Sequence, residues 1–348
     1  MKSFSKKLLE WYNPTSRNLP WKQTNDAYKI WLSEIILQQT RVEQGTPYYL
    51  AFIKKYPTVK KLANAPLDDV LKLWEGLGYY SRARNLHVAA QQILEIHQGK
   101  FPETYAEIVA LKGIGNYTAA AIASFAYNLP HAVVDGNVFR VLSRVFGIET
   151  PIDSTEGKKQ FAQLAQQLLD KKKPSIHNQA IMDFGALVCK PQNPLCEQCP
   201  FSSECKALEL NKINILPVKA KKLIKSERHF HYFVLFDSKN IYINQRTEND
   251  IWKGLFEFPV EEVVGQWSMF DSKFLQKINY RLSSFDHCLS YKQTLSHQYI
   301  NGHFYEIRLS KLPKLEKSYL KIEKKNILNF AFPKIIRTYL EDRLNFLT

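Results

Sequence analysis

Two kinds of hydrophobic pattern divide the chain. Up to about residue 188, apolar residues recur at helical spacing or lie in alanine-rich runs, which favours helices. Beyond residue 228, segments rich in aromatic and β-branched residues alternate with turn residues, which favours strands. The predicted helices are Leu8–Tyr12, Ala27–Arg41, Pro47–Lys55, Pro66–Leu77, Ala83–Gln98, Tyr105–Leu111, Tyr117–Ala126, Asn137–Phe146, Thr155–Asp170 and His177–Val188. The predicted strands are His229–Phe236, Ile241–Gln245 and His303–Leu309.

The length of the chain and one basic segment predict two domains. At 348 residues the chain exceeds one average domain of about 150 residues, and each part is long enough to bury a core. Residues 216–227 contain the basic polar run Pro217–Lys225, which is typical of a linker. We therefore expect a helical region over residues 1–215 and a second domain over residues 228–348.

The charge balance narrows the kinds of partner. The chain carries 48 lysine and arginine residues against 33 aspartate and glutamate residues, a formal net charge of +15. This excess favours a polyanionic partner, such as nucleic acid or an anionic membrane, although basic proteins of other kinds are common. The N-terminus has no long apolar core, and the sequence contains no run of eighteen apolar residues. Neither a signal peptide nor a membrane span is indicated, and we expect a cytoplasmic protein.

The cysteines are concentrated in one window. Four of the five, Cys189, Cys196, Cys199 and Cys205, fall close together, and Cys288 lies apart. In a reducing cytosol such a cluster indicates a metal site rather than a pair of disulfides. Four thiolates suit either a tetrahedral Zn²⁺ or an iron–sulfur cluster, and ligand chemistry does not separate the two. Cys288 is expected to be a buried structural thiol.

A glycine-rich turn, Gly113-Ile114-Gly115, lies between two predicted helices. Glycine tolerates positive φ and places no side chain in the way, so backbone N–H groups at the start of the next helix can face an anion. The pattern predicts a helix-hairpin-helix that holds a nucleic-acid phosphate, with Gly113 and Gly115 at the contact. An ordinary helix–helix turn is the alternative, and two glycines alone do not exclude it.

Two acids stand out by their surroundings. Glu34 is a lone carboxylate at the centre of an apolar helix, where Gln38 and Arg41 would share its face. Desolvation there would raise its pKa and keep a proton available to a general acid. Asp135 follows the apolar run Ala132–Val134 and precedes a predicted helix, so it can cap that helix. A surface glutamate and a simple cap are the alternatives; a carboxylate like Asp135 can also stabilise a cationic sugar intermediate.

Five motifs in one order closely resemble MutY-type adenine DNA glycosylases. The resemblance covers nearly all of residues 4–205. The motifs are Trp31–Glu34 with Leu37–Thr40, Gly76–Tyr80 with Arg82–Leu86, the turn at Gly113, Val134–Val138, and the spacing of the four clustered cysteines.

The resemblance implies an all-α helix-hairpin-helix glycosylase fold with two subdomains. A six-helix subdomain would occupy about residues 25–130, and an iron–sulfur subdomain would combine the N-terminus with about residues 131–215. The four cysteines would hold one [4Fe-4S] cluster that is structural and important for redox behaviour but is not the chemical centre. The substrate would be duplex DNA in which adenine lies opposite 8-oxoguanine or guanine. The adenine would be flipped out and removed in base excision repair by a monomeric enzyme without a membrane partner.

The same resemblance assigns roles to individual residues. Glu34 would protonate the adenine ring, and Asp135 would stabilise the oxocarbenium ion. Tyr117 and Asn137 would line the site beside them. The residues that would probe or wedge the duplex are Gln39, Leu77 and Tyr79, and Thr40 is expected to bind DNA beside them. For Leu77 and Tyr79, ordinary packing beside a glycine turn is the alternative.

Position 117 separates two related classes of enzyme. Endonuclease III-type enzymes resemble this chain in fold, hairpin and cluster, but they place a lysine there as a Schiff-base nucleophile. This chain has Tyr117, and a tyrosine cannot form that imine. We therefore expect a hydrolytic, monofunctional glycosylase.

The last part of the chain resembles the Nudix-like C-terminal module of the same family. The local match is Asn244–Arg246 followed by Ile251–Pro259, and the metal-binding Arg-Glu-x-x-Glu-Glu helix of Nudix hydrolases is missing. A role in recognising 8-oxoguanine is therefore expected, with Ser296 and His297 supplying hydrogen bonds. Leu295 stands where the family usually has phenylalanine, and a plain polar hairpin tip is the alternative for this loop.

Two other functions remain open at this point. One is a bifunctional glycosylase and lyase for oxidised pyrimidines, which Tyr117 and the C-terminal domain disfavour. The other is a DNA-binding protein without enzymatic activity, in which Glu34 is a surface acid, Asp135 is a cap and the metal site is structural.

Overall fold

The computed structural model describes residues 2–14, 17–220, 224–263, 272–280 and 287–343. The chain forms two compact units. The first comprises Met1–Asn64 and Val88–Lys222, and the second comprises Ala65–His87 and Leu223–Thr348. The domain boundaries predicted from the sequence assign residues 65–87 differently, and they stay a prediction.

Helices dominate the described residues up to position 210. They are α1 (Lys2–Trp11), α2 (Ala27–Leu37), α3 (Val42–Lys55), α4 (Val59–Ala63), α5 (Leu67–Trp74), α6 (Ser81–Ile96), α7 (Tyr105–Ala110), α8 (Asn116–Tyr127), α9 (Gly136–Phe146), α10 (Thr155–Leu168), α11 (Pro174–Leu187) and α12 (Lys206–Glu209). All ten predicted helices are present. The other two helices, α4 and α12, were not predicted, because helices of five and four residues are too short to show a clear periodic pattern.

The predicted end of α2 is wrong. The sequence pattern extends this helix to Arg41, but it ends at Leu37, and Gln39 has φ of +56°. A left-handed residue of this kind interrupts a right-handed helix. Arg41 instead caps α3, which begins at Val42 and includes Pro47, so Arg41 does not share a helix face with Glu34.

One core of the first unit joins α1, α9, α10 and α11. Its largest buried side chains are aromatic, including Phe161, Phe184 and Phe201. Phe4 stacks on Phe201 with ring centroids 4.7 Å apart, and Trp11 meets Phe184 edge-on at 5.0 Å. This packing fixes α9 and α11 side by side, and both helices contribute to the site described below.

Helix α2 packs against the alanine-rich helix α8. The alanines at 119, 120, 121 and 123 are all buried, and such small side chains let two helix backbones approach closely. Nine of the eleven residues of α2 are buried as well, from Ala27 to Ile36. Since α2 is enclosed on nearly all sides, a carboxyl group at its centre is removed from water.

The second unit contains a mixed sheet of seven described strands. They are β1 (Ser226–Phe236), β2 (Asn240–Gln245), β3 (Phe256–Glu257), β4 (Val260–Val263), β5 (His287–Thr294), β6 (Gln298–Arg308) and β7 (Tyr319–Glu323). The order along the sheet is β3-β2-β1-β6-β5, while β4 pairs with β1 and β7 pairs with β2. Strands β1 and β6 are parallel, with His231 opposite His303, and the other pairs are antiparallel.

The three predicted strands correspond to β1, β2 and β6. The other four strands were missed because they are short or carry many polar residues. Two helices accompany the sheet, α13 (Lys273–Lys277) and α14 (Lys334–Asp342). On one face Phe304 stacks on Tyr339 of α14 at 4.3 Å, and Phe258 meets the same ring edge-on at 5.7 Å.

Helix α5 belongs to this second unit through direct contacts. Lys72 Nζ donates to the carbonyl oxygen of Phe330 at 2.9 Å, and Glu75 accepts the backbone N–H of Phe332 at 2.8 Å. Gln245 of β2 donates to Asp68 at 2.9 Å. These bonds attach the segment 65–87 to the sheet.

Cys288 lies on β5 and is exposed, so the prediction of a buried thiol is wrong. Strand β5 stands at the end of the strand order, where one side of the strand has no neighbouring strand in the described sheet. In the part of the chain that the structure describes, no helix has the length and apolar character needed to cross a membrane.

Candidate active site and nucleic-acid interface

A pocket of about 220 Å³ opens in the first unit. This is large compared with the roughly 30 Å³ that one water molecule occupies in the liquid. Its walls come from α2, α8, the start of α9, α11 and the segment 17–24. The polar side chains that line it include Arg17, Lys22, Glu34, Tyr117, Asp135, Asn137, Gln179 and Asp183.

Glu34 is held in this pocket by helix packing and by one phenol. It is 8% exposed, and the Tyr117 hydroxyl donates a hydrogen bond of 2.8 Å to its Oε2 atom. Burial is the main cause that raises the pKa of Glu34 to about 7, and the nearby charge of Asp135 contributes to the rise. The hydrogen bond from Tyr117 opposes this rise because it stabilises the ionised carboxylate. Glu34 is therefore poised to gain or lose a proton near neutral pH.

Asp135 occupies the N-cap of α9, as predicted. One carboxyl oxygen accepts the backbone N–H of Val138 at 2.8 Å, and the other accepts Asn137 Nδ2 at 2.8 Å. Burial raises the pKa of Asp135, while these two hydrogen bonds and the charge of Arg140 oppose the rise. The hydrogen bonds from Val138 and Asn137 and the charge of Arg140 therefore favour the charged form of Asp135.

Arg140 connects the start of α9 to the cysteine-bearing segment. Its guanidinium donates to Asn137 Oδ1 at 2.8 Å and to the carbonyl oxygens of Gly185 at 2.7 Å and Cys189 at 2.7 Å. A Cβ atom at Gly185 would lie 2.6 Å from the Cβ of Asn137, so only glycine permits this approach of α11 to α9. The orientation of Asn137, and through it that of Asp135, depends on these contacts.

The turn after α2 places Gln38, Gln39 and Thr40 in three different surroundings. Gln38 caps α2 and donates to Thr118 Oγ1 of α8 at 3.3 Å. Thr40 lines the pocket, whereas Gln39, with its positive φ, is exposed to solvent.

The glycine turn between α7 and α8 has the predicted form. Gly113 has φ of +76°, and the backbone N–H of Ile114 bonds to the carbonyl oxygen of Leu111 at 3.1 Å. Gly115 is the N-cap of α8 and has φ of −95°, and a Cβ atom there would meet no atom within 4 Å. Both glycines are exposed. Gly113 is therefore required by backbone conformation, whereas Gly115 leaves open space beside the first N–H groups of α8.

The four clustered cysteines line one small pocket beside α9. Arg144 of α9 donates to Cys189 Sγ at 3.6 Å and to the carbonyl oxygen of Lys190 at 2.7 Å, and its own carbonyl oxygen accepts Cys205 Sγ at 3.4 Å. Within the described ranges, no group of three or more His, Cys, Asp or Glu side chains is arranged to hold a metal ion. The structure thus gathers the four thiols without defining a single-ion site.

A second pocket, of about 430 Å³, lies in the second unit. Four of the predicted DNA-binding residues line it together: Leu77, Tyr79, Ser296 and His297. The hydroxyl groups of Tyr79 and Ser296 are in direct hydrogen-bond contact. Tyr79 is 39% exposed and Leu77 is 7% exposed, so the tyrosine is the more accessible side chain.

Several residues of the first pocket escaped the sequence analysis. Arg17 and Lys22 lie in a segment without helical pattern, and Gln179 and Asp183 stand one turn apart on α11. Asp183 did carry a signal, because it is a lone acid within the apolar run Ala180–Phe184, the same pattern that marks Glu34. The partners of Asp183 lie about 160 residues away, and no local pattern indicates them.

Comparison with known proteins gives the family. A family model described as HhH-GPD superfamily base excision DNA repair protein matches residues 32–171, and a NUDIX domain model matches residues 231–342. The chain is 39% identical over 297 residues to an adenine DNA glycosylase of Buchnera aphidicola subsp. Baizongia pistaciae, covering 83% of each sequence. The chain belongs to the adenine DNA glycosylase family.

Other relatives agree with this family. The adenine DNA glycosylase of Homo sapiens is 45% identical over 214 residues, which is 59% of this chain and 39% of the human protein. The predicted family, enzyme class and two-part fold class are confirmed: this adenine DNA glycosylase is a base excision repair enzyme that acts on DNA. Its two parts are a helical glycosylase fold and a Nudix-like mixed sheet.

Solved structures support the helical fold. A thermostable thymine-DNA glycosylase is 31% identical with a TM-score of 0.56, and the match covers 60% of this chain and 96% of that one. An endonuclease III in non-covalent complex with DNA is 20% identical with a TM-score of 0.51, covering 60% and 95%. The second similarity concerns the fold alone.

The two glycines of the hairpin turn should respond differently to substitution. Gly113→Ala forces an alanine into the left-handed region and should lower the free energy of unfolding by about 1 kcal/mol. Gly115→Ala meets no steric obstacle and should stay within about 0.5 kcal/mol of the parent. Urea denaturation of both variants measures this difference. Equal losses in the two variants would contradict the backbone assignment.

Proposed function

We propose that this enzyme hydrolyses the N-glycosidic bond of adenine paired with 8-oxoguanine or guanine in duplex DNA. The observation that carries the proposal is the pair of carboxyls in one pocket. Glu34 has a pKa of about 7, and Asp135 is stabilised as an anion by the N–H groups of Val138 and Asn137. Two carboxyls with different proton affinities are the arrangement that acid-assisted glycosidic cleavage requires.

Glu34 is the proposed general acid. Breaking the bond to adenine leaves negative charge on the departing base, so protonation of the adenine ring makes the base a better leaving group. A carboxyl group with a pKa near 7 is protonated in a large fraction of molecules at neutral pH. Tyr117 holds this carboxyl in place through its hydroxyl group.

Asp135 is the proposed stabiliser of the sugar cation. As the base departs, positive charge develops on the deoxyribose, and an ionised carboxylate in a site with little water offsets that charge strongly. Its rigid attachment to the N-terminus of α9, with Asn137 as a second support, means that little reorganisation is needed during the reaction. Water then completes the hydrolysis.

The substrate must leave the base stack to reach these groups, since the reacting bond is otherwise enclosed in the duplex. Extrusion costs a few kcal/mol, and a side chain that enters the gap can offset part of this cost. Tyr79 is the proposed wedge because it is the more exposed of the two candidates, and Leu77 is nearly buried. The N–H groups beside Gly115 are proposed to hold a DNA phosphate.

The second pocket is the proposed reader of 8-oxoguanine. Ser296 and Tyr79 supply hydroxyl groups that can donate or accept, and His297 lines the same pocket. These groups can pair with the added carbonyl and N–H that distinguish 8-oxoguanine from guanine. Leu295 lines the pocket as well, so the apolar position of the loop is filled by an aliphatic side chain.

Removing either carboxyl should abolish adenine release. Glu34→Gln loses the proton donor and should slow single-turnover release by 10²–10⁴-fold, and Asp135→Asn should slow it by 10²–10³-fold. Both changes preserve shape, so binding to the duplex should persist. The assay uses duplexes with adenine opposite 8-oxoguanine, guanine and thymine, with Glu43→Gln, an exposed acid on α3, as the control.

The pH dependence follows from the sign of the Glu34 shift. The acid must be protonated, so the release rate should fall as the pH rises through about 7.

Full activity of Glu34→Gln and Asp135→Asn would refute the assignment of roles. Equal release from the thymine-paired duplex would refute the proposed mispair specificity.

The enzyme is expected to be monofunctional because Tyr117 occupies the position of a Schiff-base lysine in the lyase class. Borohydride reduction in the presence of abasic DNA should give no covalent protein–DNA product, whereas an endonuclease III control should be trapped. Gel electrophoresis of the labelled duplex measures this outcome. Efficient trapping together with β-elimination would count against the proposal.

The four clustered cysteines are the proposed ligands of one [4Fe-4S] cluster. All four thiols line one pocket, and Arg144 supplies positive charge to Cys189 Sγ, which suits thiolate ligands. When bound, the cluster would supply structural support and a redox-active group. The residues of this segment are then held by the cluster on one side and by Arg140 and Arg144 of α9 on the other.

Substitution of a ligand cysteine should lower the metal content of the protein, whereas substitution of Cys288 should not. Cys199→Ser should lose most bound iron and the visible thiolate-to-iron absorption, because a cluster needs all its corners held. Cys288→Ser should keep both, since Cys288 lies on the exposed strand β5. Iron and zinc analysis of the purified proteins measures the outcome. If the parent protein is colourless and contains one zinc ion, the cluster proposal is wrong and the four cysteines bind zinc instead.

A further inference from the structure

The carboxylate of Asp183 joins two distant parts of the active-site pocket. It lies on α11 and is 2% exposed. Arg17 Nη1 donates to Asp183 Oδ1 at 3.0 Å, and Lys22 Nζ donates to Asp183 Oδ2. Arg17 and Lys22 both belong to the segment before α2, so Asp183 fixes this segment against α11 as one wall of the pocket.

The charges that line the pocket balance when Glu34 is neutral. Arg17 and Lys22 are positive, and Asp135 and Asp183 are negative. With a proton on Glu34 these four charges sum to zero. Arg140 donates hydrogen bonds to Asn137 and to three carbonyl oxygens. Its charge is the same in every variant described below, so it does not affect the comparison between them.

Without Asp183, the pocket would hold two cations and one anion. An uncompensated positive charge in a site of low dielectric constant stabilises the ionised form of a neighbouring carboxyl. Glu34 is the carboxyl in this pocket that can respond, because its pKa lies near 7. Loss of Asp183 would therefore favour loss of the proton that the proposed reaction needs.

We propose that Asp183 is a positioning residue that holds Arg17 and Lys22 against α11 and thereby keeps the proton on Glu34. This inference rests on the proposed role of Glu34 as the acid. Asp183 touches neither Glu34 nor the reacting atoms in this account. It acts through the two cations and through the pocket wall that they form.

Other polar groups that line the pocket with Glu34 include Tyr117, Asp135 and Gln179. Tyr117 faces it from α8, Asp135 from the cap of α9, and Gln179 from α11. Gln179 is neutral and accepts the hydroxyl of Tyr12 at 3.2 Å. Burial, followed by the charge of Asp183, raises the pKa of Tyr12 to about 12, so this tyrosine also stays uncharged at neutral pH. Arg17, Lys22 and Asp183 are the charged residues that line the pocket on the side of α11 and of the segment before α2.

The test measures the pH profile of single-turnover adenine release. Asp183→Asn keeps the shape and removes the charge, so the alkaline limb should move by about one pH unit toward lower pH. Lys22→Met removes a cation and should move the same limb toward higher pH. The double variant Asp183→Asn with Lys22→Met restores the balance, and its limb should return close to that of the parent. Glu156→Gln, an exposed acid on α10, is the matched control.

The pattern of shifts distinguishes an electrostatic role from a structural one. If Asp183→Asn lowers the rate at every pH but leaves the alkaline limb in place, the inference is overturned. It is also overturned if Lys22→Met and Asp183→Asn move the limb in the same direction. If Asp183→Asn does not fold, the Lys22→Met shift and the double variant decide the question.

Failure of this inference differs from failure of the proposed function. If Glu34→Gln remains active, Glu34 is not the acid, and both proposals fail. An inactive Glu34→Gln protein together with an unmoved limb in Asp183→Asn ends the role of Asp183 and leaves the acid in place.

Discussion

The constraint on which the site depends is that two carboxyls line one pocket. Two negative charges in one such place disfavour each other, and the charge of Asp135 contributes to the raised pKa of Glu34. The two carboxyls differ in the hydrogen bonds that they receive. Asp135 receives two N–H donors at the rigid start of α9, whereas Glu34 sits in the middle of α2 and receives the Tyr117 hydroxyl. The two carboxyls thereby differ in their surroundings and not in their own chemistry, and the proposed division into an acid and an anion rests on this difference.

Backbone packing makes the larger contribution to the raised pKa of Glu34, because burial is its main cause. Glu34 is buried because α2 is enclosed, and the alanines of α8 let these two helices approach. Asp135 is held by a helix start that Gly185 allows to lie against α11, and Arg140 bonds both helices to the cysteine segment. A larger side chain at such contacts would therefore act on the proton affinity of a carboxyl that it never touches.

The sequence predicted the parts of the site that have a local signature. A lone acid in an apolar helix and a carboxylate before a helix single out Glu34 and Asp135, which line one pocket, and a glycine pair marks the turn at Gly113. Each of these patterns is complete within a few residues. The clustered cysteines are found by the same means. The end of α2 was misjudged because apolar spacing continues past Gln39, and only its backbone angle ends the helix. Four short or polar strands were missed because pairing with distant strands, rather than their own composition, determines them.

What the sequence could not provide is the balance of charge between distant segments. Arg17 and Lys22 have no helical pattern around them, and their partner Asp183 follows about 160 residues later. Such long-range pairs are invisible to periodicity, and the proposed role of Asp183 is to balance their charge in the pocket that Glu34 lines. A candidate acid such as Glu34 can thus be proposed from a local pattern, but its proton affinity is a property of the folded pocket. On the proposed role of Asp183, the pH dependence of adenine release is tuned by residues that lie far from Glu34 in sequence.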